Sequence, residues 1–440
     1  MSTKSAPDKI EAIKRILKAL HAGESVEKLK REFGDVLSQV SPFEIPLIEQ
    51  QLVREGIKID EILRLCDLHV ELFREHLRSR ELEGVPRGHP LDLLIRENEW
   101  IVRQADALSL HAFAILQAGS DEEARGALAG LKQAALELAK IRLHYRKIQM
   151  LLFPYLERRG IVAVPRVMWG REDQVRVKLR GLLDAIGKLE AEFNRSRANE
   201  VANRALEIAH ETSDLVFREN KILFPAVWAL LTEGEWAAVA EIAEDLGYLV
   251  EVDERWRSEA EPILPHQLKA GISPEQVEKL PQEFRIMALS QGLQPDTYEI
   301  RSEGDLDLGT GFLSPEEVKA LFRALPIEIT YANKDDRIRF FTESVFHQRF
   351  VRAKTIIGRR LEYCHPPRLE GAVRKVVDEI KMGKADYREF WTRIGDRIVR
   401  VLIVGVKNEE GELLGTVEIV EDFTDVINNP EEIRKKIIVL

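Results

Sequence analysis

Two copies of the tripeptide Leu-Phe-Pro, at 152–154 and 223–225, each close a long run of apolar residues at three- and four-residue spacing. That repetition constrains the fold more than any other feature. Four such runs, at roughly 89–118, 121–150, 171–195 and 198–230, are separated by Gly119-Ser120, by the stretch from Gly160 to Gly170 and by Arg195-Ser196. Long amphipathic helices with short connections predict an up-down bundle, and the two matching endings predict a bundle made of two helical hairpins. Each Phe-Pro pair is expected to stop its helix, because proline lacks an N–H and crowds the preceding turn.

The rest of the 440-residue chain needs more than one core. Residues 1–83 read as a small all-helical domain, with Ile10, Ile13, Ile16, Leu17 and Leu20 on one stripe, Ser41-Pro42 opening a later helix and Gly56 closing one. The bundle domain spans 84–250, after the turn signal Gly-Val-Pro-Arg-Gly-His-Pro. Residues 251–311 form a helical connector ending in an acidic, glycine-rich linker. From 312 to about 430 the pattern becomes α+β. Strands at 327–332 and 337–341 are joined by Asn-Lys-Asp-Asp, a helix covers about 368–382 with Gly383 as its C-cap, and three more strands follow.

Charge and composition exclude several classes. With 65 basic and 75 acidic residues the net charge is −10, which gives no support to nucleic-acid binding. Two cysteines, Cys66 and Cys364, allow neither a disulfide framework nor a paired-cysteine zinc site. No apolar run is long enough to cross a membrane, and the polar, amphipathic start is not a secretion signal, so the expected address is the cytoplasm. Phosphate-loop, dinucleotide, zinc-protease and serine-hydrolase motifs are absent from the sequence, as is any kinase, cyclase or helix-turn-helix output module.

Histidine is scarce, at ten residues, so its placement carries information. The segments Leu65-Cys-Asp-Leu-His69, Gly88-His-Pro with Glu97-Asn98, and His144-Tyr up to Leu151-Leu-Phe-Pro-Tyr-Leu-Glu157 stand out. So do Val167-Met-Trp-Gly170, Ile222-Leu-Phe-Pro225, Ile356-Ile-Gly-Arg359, Cys364-His-Pro-Pro367 and Glu389-Phe-Trp391. Across these points the sequence resembles the hemerythrin-like (HHE) cation-binding domain, in proteins that add an uncharacterised helical N-terminal domain and a C-terminal PAS domain.

The resemblance implies an all-α N-terminal domain, a four-helix bundle and an α+β sensor fold. It implies non-haem iron, as a pair or a single ion, on imidazoles and carboxylates facing inward from different helices. His89 and His144 stand at the histidine positions of helices one and two, and Glu97 and Glu219 at acidic ones. The pattern is broken elsewhere: Ile148 and Gln149 follow His144 where a carboxylate is expected, Arg171-Glu172-Asp173 replaces a histidine segment, and Leu215 stands nine residues before Phe224. Glu172 is a substitute oxygen ligand on this reading, or part of a solvated helix start on the other. His210 with Asp214, and His111, are spare candidates against a surface role.

In the first domain Cys66 and His69 share a helix face, with His76 a further turn on, as a soft-metal or nucleophile pair or as plain packing. In the PAS-like domain Cys364 and His365 are redox or ligand candidates, and Trp391 and Phe390 are pocket candidates, with a turn and core packing as the alternatives. Together these features predict a cytoplasmic sensory protein for oxygen, nitric oxide, redox state or iron. Its PAS ligand is unspecified, it signals through a protein partner, and it pairs with itself through the PAS domain. The alternatives are a metal-free scaffold that keeps only the bundle shape, and an enzyme acting on a small oxidant.

Overall fold

The computed structural model describes residues 6–38, 52, 55–56, 82–268, 295–343 and 352–438. The chain divides into two units, Met1–Tyr298 and Glu299–Leu440. Cys66, His69 and His76 lie outside the described residues.

The first unit is helical. Two short helices, α1 (Ala6–His21) and α2 (Val26–Leu37), pair through Ile13, Ile16, Leu17 and Leu29. Their cluster extends to Val167 and Ile222 of the bundle. The bundle consists of α3 (Pro90–Gln117), α4 (Asp121–Leu138) continued by α5 (Ile141–Lys147) and α6 (Phe153–Arg158), α7 (Ala163–Ala191), and α8 (Arg195–Arg218) continued by α9 (Phe224–Leu230). Ser120 and Asn194 cap α4 and α8 by accepting the N–H groups of Glu123 and Arg197. Inward-facing residues such as Ile101, Leu108, Leu131, Leu179, Leu182 and Ile208 form one continuous core.

The Phe-Pro pairs do not end their helices. A π-helical turn, Ile148–Leu152 in one hairpin and Glu219–Leu223 in the other, precedes each of them. There the N–H of Phe153 bonds to Ile148 O and that of Phe224 to Glu219 O, five residues back. The wider turn absorbs the missing proline N–H and the crowding of its ring, and the helix continues. Each π-turn also re-aims the residues beside it, which is why such turns cluster at functional sites.

Helix α10 (Glu233–Leu246) and the segment 251–268, irregular but for a 3-10 turn at Pro265–Gln267, pack on the bundle. Tyr155 Oη donates to Ile263 O at 2.7 Å, and the buried Arg159 guanidinium meets Glu235 at 2.7 and 2.8 Å. The N–H of Trp256 bonds to Gly88 O. Gly88 has φ +73°, and a Cβ there would stand 2.5 Å from Glu254 O. Only glycine permits both that backbone conformation and that approach.

The second unit is α+β. Its five-stranded antiparallel sheet has the order β4-β3-β7-β6-β5, with β3 Glu328–Asn333, β4 Ile338–Phe341, β5 Tyr387–Ile394, β6 Arg397–Lys407 and β7 Leu413–Asp422. A small hairpin, β1 (Leu306–Asp307) with β2 (Phe312–Leu313), and α11 (Pro315–Ala324) precede it. Helix α12 (Pro367–Lys381) lays Val376 and Ile380 on Ile403 of β6. Ser314 and Glu317 form a reciprocal capping box on α11. Replacing Ser314 by alanine removes one half of it and costs about 1 kcal/mol. Amide hydrogen exchange in α11 is therefore expected to speed up about fivefold, with β6 unaffected. Among the described residues no helix is long and apolar enough to cross a membrane.

Candidate functional site

The centre of the bundle holds an ionic cluster sealed from solvent. Glu97 comes from α3, His144 and Lys147 from α5, Gln149 from the first π-turn, Glu172 from α7 and Glu219 from the second π-turn. His144 bridges two carboxylates, with Nδ1 2.7 Å from Glu97 Oε2 and Nε2 2.9 Å from Glu219 Oε2. Lys147 Nζ donates to Glu97 Oε1 at 2.5 Å and to Gly247 O at 2.7 Å, and the Leu249 N–H donates to the same carboxylate oxygen at 2.9 Å. Gln149 Nε2 donates to Glu172 Oε2 at 2.6 Å.

Burial alone would push His144 down, but the Glu219 and Glu97 carboxylates outweigh it and hold the imidazole up at about 9. Both its nitrogens therefore carry protons at neutral pH. Burial opposes ionisation of Glu97, yet His144 and Lys147 keep it below the usual carboxylate range. Glu172 goes the other way: burial first, then the neighbouring Glu219 charge, raises it to about 8. Burial pulls Lys147 down against the pull of Glu97. Near pH 7 the ionised Glu97 thus faces the charged His144 imidazolium, and Glu172 keeps its proton. Each buried charge is matched by an opposite one, as burial requires.

Two carboxylate oxygens, Glu172 Oε1 and Glu219 Oε1, are buried with no hydrogen-bond partner, as is Tyr145 Oη. A histidine-rich di-iron centre does not fit this donor set. One imidazole is present, both its nitrogens are engaged, and Ile148 and Leu215 supply no ligand atom. No group of three His, Cys, Asp or Glu side chains among the described residues forms a ready metal cage. By donor type alone, the Glu172 and Glu219 oxygens with the Gln149 carbonyl match a hard or borderline divalent cation better than a histidine-rich iron pair.

His89 does another job than the one its position predicts. It is the N-cap of α3, where its Nδ1 accepts the Leu91 N–H at 3.1 Å. Its ring lies edge-on among three indoles, 5.2 Å from Trp228, 4.7 Å from Trp236 and 4.6 Å from Trp256. Eight residues of helix separate it from Glu97 by about 12 Å, too far to share an ion. Burial lowers it to about 4, so it is neutral. His210 is an exposed surface residue 3.7 Å from Asp214, and the His111 ring lies over Gly130.

Glu172 is fully buried in the interior of α7, not part of a solvated helix start. Lys147 was not singled out by sequence reasoning. Its place three residues after His144 is one available signal, since that spacing puts both on one face. A second signal is the triplet Arg-Glu-Asn, at 96–98 and again at 218–220, whose asparagines meet through Asn98 Nδ2 and Asn220 Oδ1 at 3.0 Å.

The second unit holds a cavity of about 670 Å³, with Cys364, His365, Phe390, Thr392 and Glu418 among its lining. Arg352 closes one end, bonded to Glu328, to Thr330 Oγ1 at 2.7 Å and to Glu418 at 3.0 Å. His365 Nδ1 lies 3.1 Å from Leu361 O, and its Nε2 3.9 Å from Glu418 Oε2. Burial raises the Cys364 thiol, so it is not an activated thiolate. Trp391 does not line this cavity. Successive residues of β5 face opposite sides, so Phe390 points in while the Trp391 ring packs tilted against Phe423, centroids 5.2 Å apart.

Three family models match the chain: a family of unknown function (DUF438) at residues 13–79, the hemerythrin HHE cation binding domain at 89–227, and a PAS domain at 318–424. No match was found among the curated proteins. Solved structures that resemble it include a C-terminal domain from Streptococcus mutans at 31% identity, covering 28% of this chain and 96% of that one with a TM-score of 0.27. A sensory box sensor histidine kinase from Vibrio cholerae matches at 13% identity over 24% of this chain and 90% of that one, TM-score 0.19. The sensor region of a sensor histidine kinase matches at 15% identity over 38% and 57%, also with a TM-score of 0.19. The chain thus carries a DUF438 segment, a hemerythrin HHE cation-binding domain and a C-terminal PAS domain in that order.

Proposed function

We propose that this is a cytoplasmic sensory protein that takes up one divalent cation, iron foremost, in the core of its bundle and a small ligand in its PAS cavity. It hands the resulting states to a protein partner, with the PAS domain as its own pairing surface. The combination of a hemerythrin and a PAS domain supports a sensory role. One observation carries the cation reading: Glu172 Oε1 and Glu219 Oε1 are buried oxygens without partners, and such oxygens are costly unless something else meets them. Bound iron would supply redox chemistry and a centre for oxygen or nitric oxide. The chain's own residues hold the charge balance: a divalent ion entering the cluster displaces the protons of Glu172 and His144, so net charge is conserved.

Elemental analysis of the full chain, purified under reducing conditions and loaded with ferrous iron, is expected to find about one ion per chain. Affinity is expected to rise from pH 6 to pH 9, because His144 and Glu172 release protons as the ion binds. E172Q/E219Q is expected to abolish uptake. Fewer than about 0.2 ions per chain in the unsubstituted protein sinks the cation reading. A second reading, a metal-free scaffold, is favoured by the double engagement of His144 by Glu97 and Glu219. It predicts no uptake at any pH and unchanged partner binding in E172Q/E219Q.

A further inference from the structure

A groove of about 730 Å³ on the side of the bundle carries Lys140, Arg142 and Arg146 on one wall and Arg176 and Arg180 on the other, with Tyr248 and Leu249 at one end. Five cations converge there in a protein of net charge −10. Arg142 with Arg146, and Arg176 with Arg180, are pairs four residues apart, so each pair shares one helix face. Two of the five sit in ion pairs with acids three residues before them. Lys140 meets Glu137 at 2.6 Å and Arg176 meets Asp173 at 3.7 Å. Arg142 and Arg146 have no acidic partner among the described residues. Like charges gathered on two facing walls repel, and a multivalent anion between them relieves that repulsion.

The remaining lining is apolar, with Leu136, Leu179 and Leu183 in it, and the Tyr248 ring carries Lys147 Nζ 4.6 Å from its centroid. On its inner side the 247–249 segment touches the buried cluster, through Lys147 to Gly247 O and Leu249 N–H to Glu97. We propose that this groove binds a multiply charged phosphate-bearing small molecule of nucleoside-diphosphate size. Its phosphates lie between the two arginine pairs and its flat apolar part lies against the leucine lining, Leu179 and Leu183. Guanidinium forks match phosphate oxygens two at a time, which ammonium groups cannot do. A volume of this order is that of ordinary small-molecule sites. The site is independent of any cation in the core.

The test is isothermal titration of the full chain with ADP and with inorganic pyrophosphate at low ionic strength. Saturable binding by either probe is expected, weakening as salt is added because the charges are exposed. R142Q/R146Q and R176Q/R180Q, on opposite walls, are each expected to weaken it by about tenfold or more. R434Q, in the other unit, is expected to leave it unchanged. Absence of binding by both probes up to about 1 mM overturns the proposal. So does wild-type affinity in either double variant whose circular dichroism shows it folded.

Discussion

His144→Leu is expected to destabilise the first unit by about 3–5 kcal/mol, seen as a shift of its urea midpoint. The side chain is fully buried between Glu97 and Glu219. Without it Glu97 keeps Lys147 and the Leu249 N–H. Glu219 keeps nothing: its Oε2 loses the imidazole and its Oε1 already lacks a partner. Breaking one half of a buried ion pair is far costlier than never having built it. H144L/E219L is therefore expected to recover most of the loss, because an apolar pair of suitable size then fills the layer. A midpoint within about 0.5 kcal/mol of the parent for H144L alone would show that the imidazolium is not what neutralises the cluster. The cycle also separates stability from function, since H144L/E219L is expected to fold well and bind no cation.

The bundle was legible because its evidence is periodic. Apolar residues at three- and four-residue spacing and two matching Leu-Phe-Pro endings imply facing hairpins whatever the side chains at the centre. The five main strands of the second unit were legible for the same reason, and Gly383 stands at φ +68° directly after α12, as a C-cap requires. The centre was harder. Arg171-Glu172-Asp173 follows Gly170 and looks like a helix start, yet α7 begins at Ala163 and places Glu172 facing inward. A glycine inside a helix costs only about 1 kcal/mol, so it breaks a pattern without breaking the helix. Trp391 and Phe390 are neighbours in sequence but opposite in the sheet, a difference fixed by strand register. His89 was misplaced because its partners come from far along the chain: Trp228, Trp236 and Trp256 are invisible to any local pattern.

That indole cage makes the acid response of the bundle specific. Burial drives His89 down to about 4 from an ordinary value near 6.5, so the folded protein resists the proton that the unfolded chain accepts. Its contribution to stability is present above pH 6.5 and is lost as pH falls towards 4. The loss amounts to about 2 kcal/mol between pH 7 and pH 5, and about 3 kcal/mol by pH 4. Carboxylates titrate over part of the same range, so the comparison that isolates the histidine is between the parent and H89N. Asparagine accepts an N-terminal N–H as readily as histidine does here and carries no titrating group. H89N is expected to lose packing against the indoles at pH 7.5, and to show about 2 kcal/mol less acid destabilisation at pH 5 than the parent. Equal pH slopes in urea midpoints for the two proteins would mean that the ring is charged and solvated, and that the cage opens. At alkaline pH the sign reverses and the residue changes. His144, held at about 9, contributes below pH 6.5 and its contribution fades as pH rises through 9. The two histidines therefore bound a window of stability from opposite sides, one neutral at the capped end of α3, the other charged at the centre of the bundle.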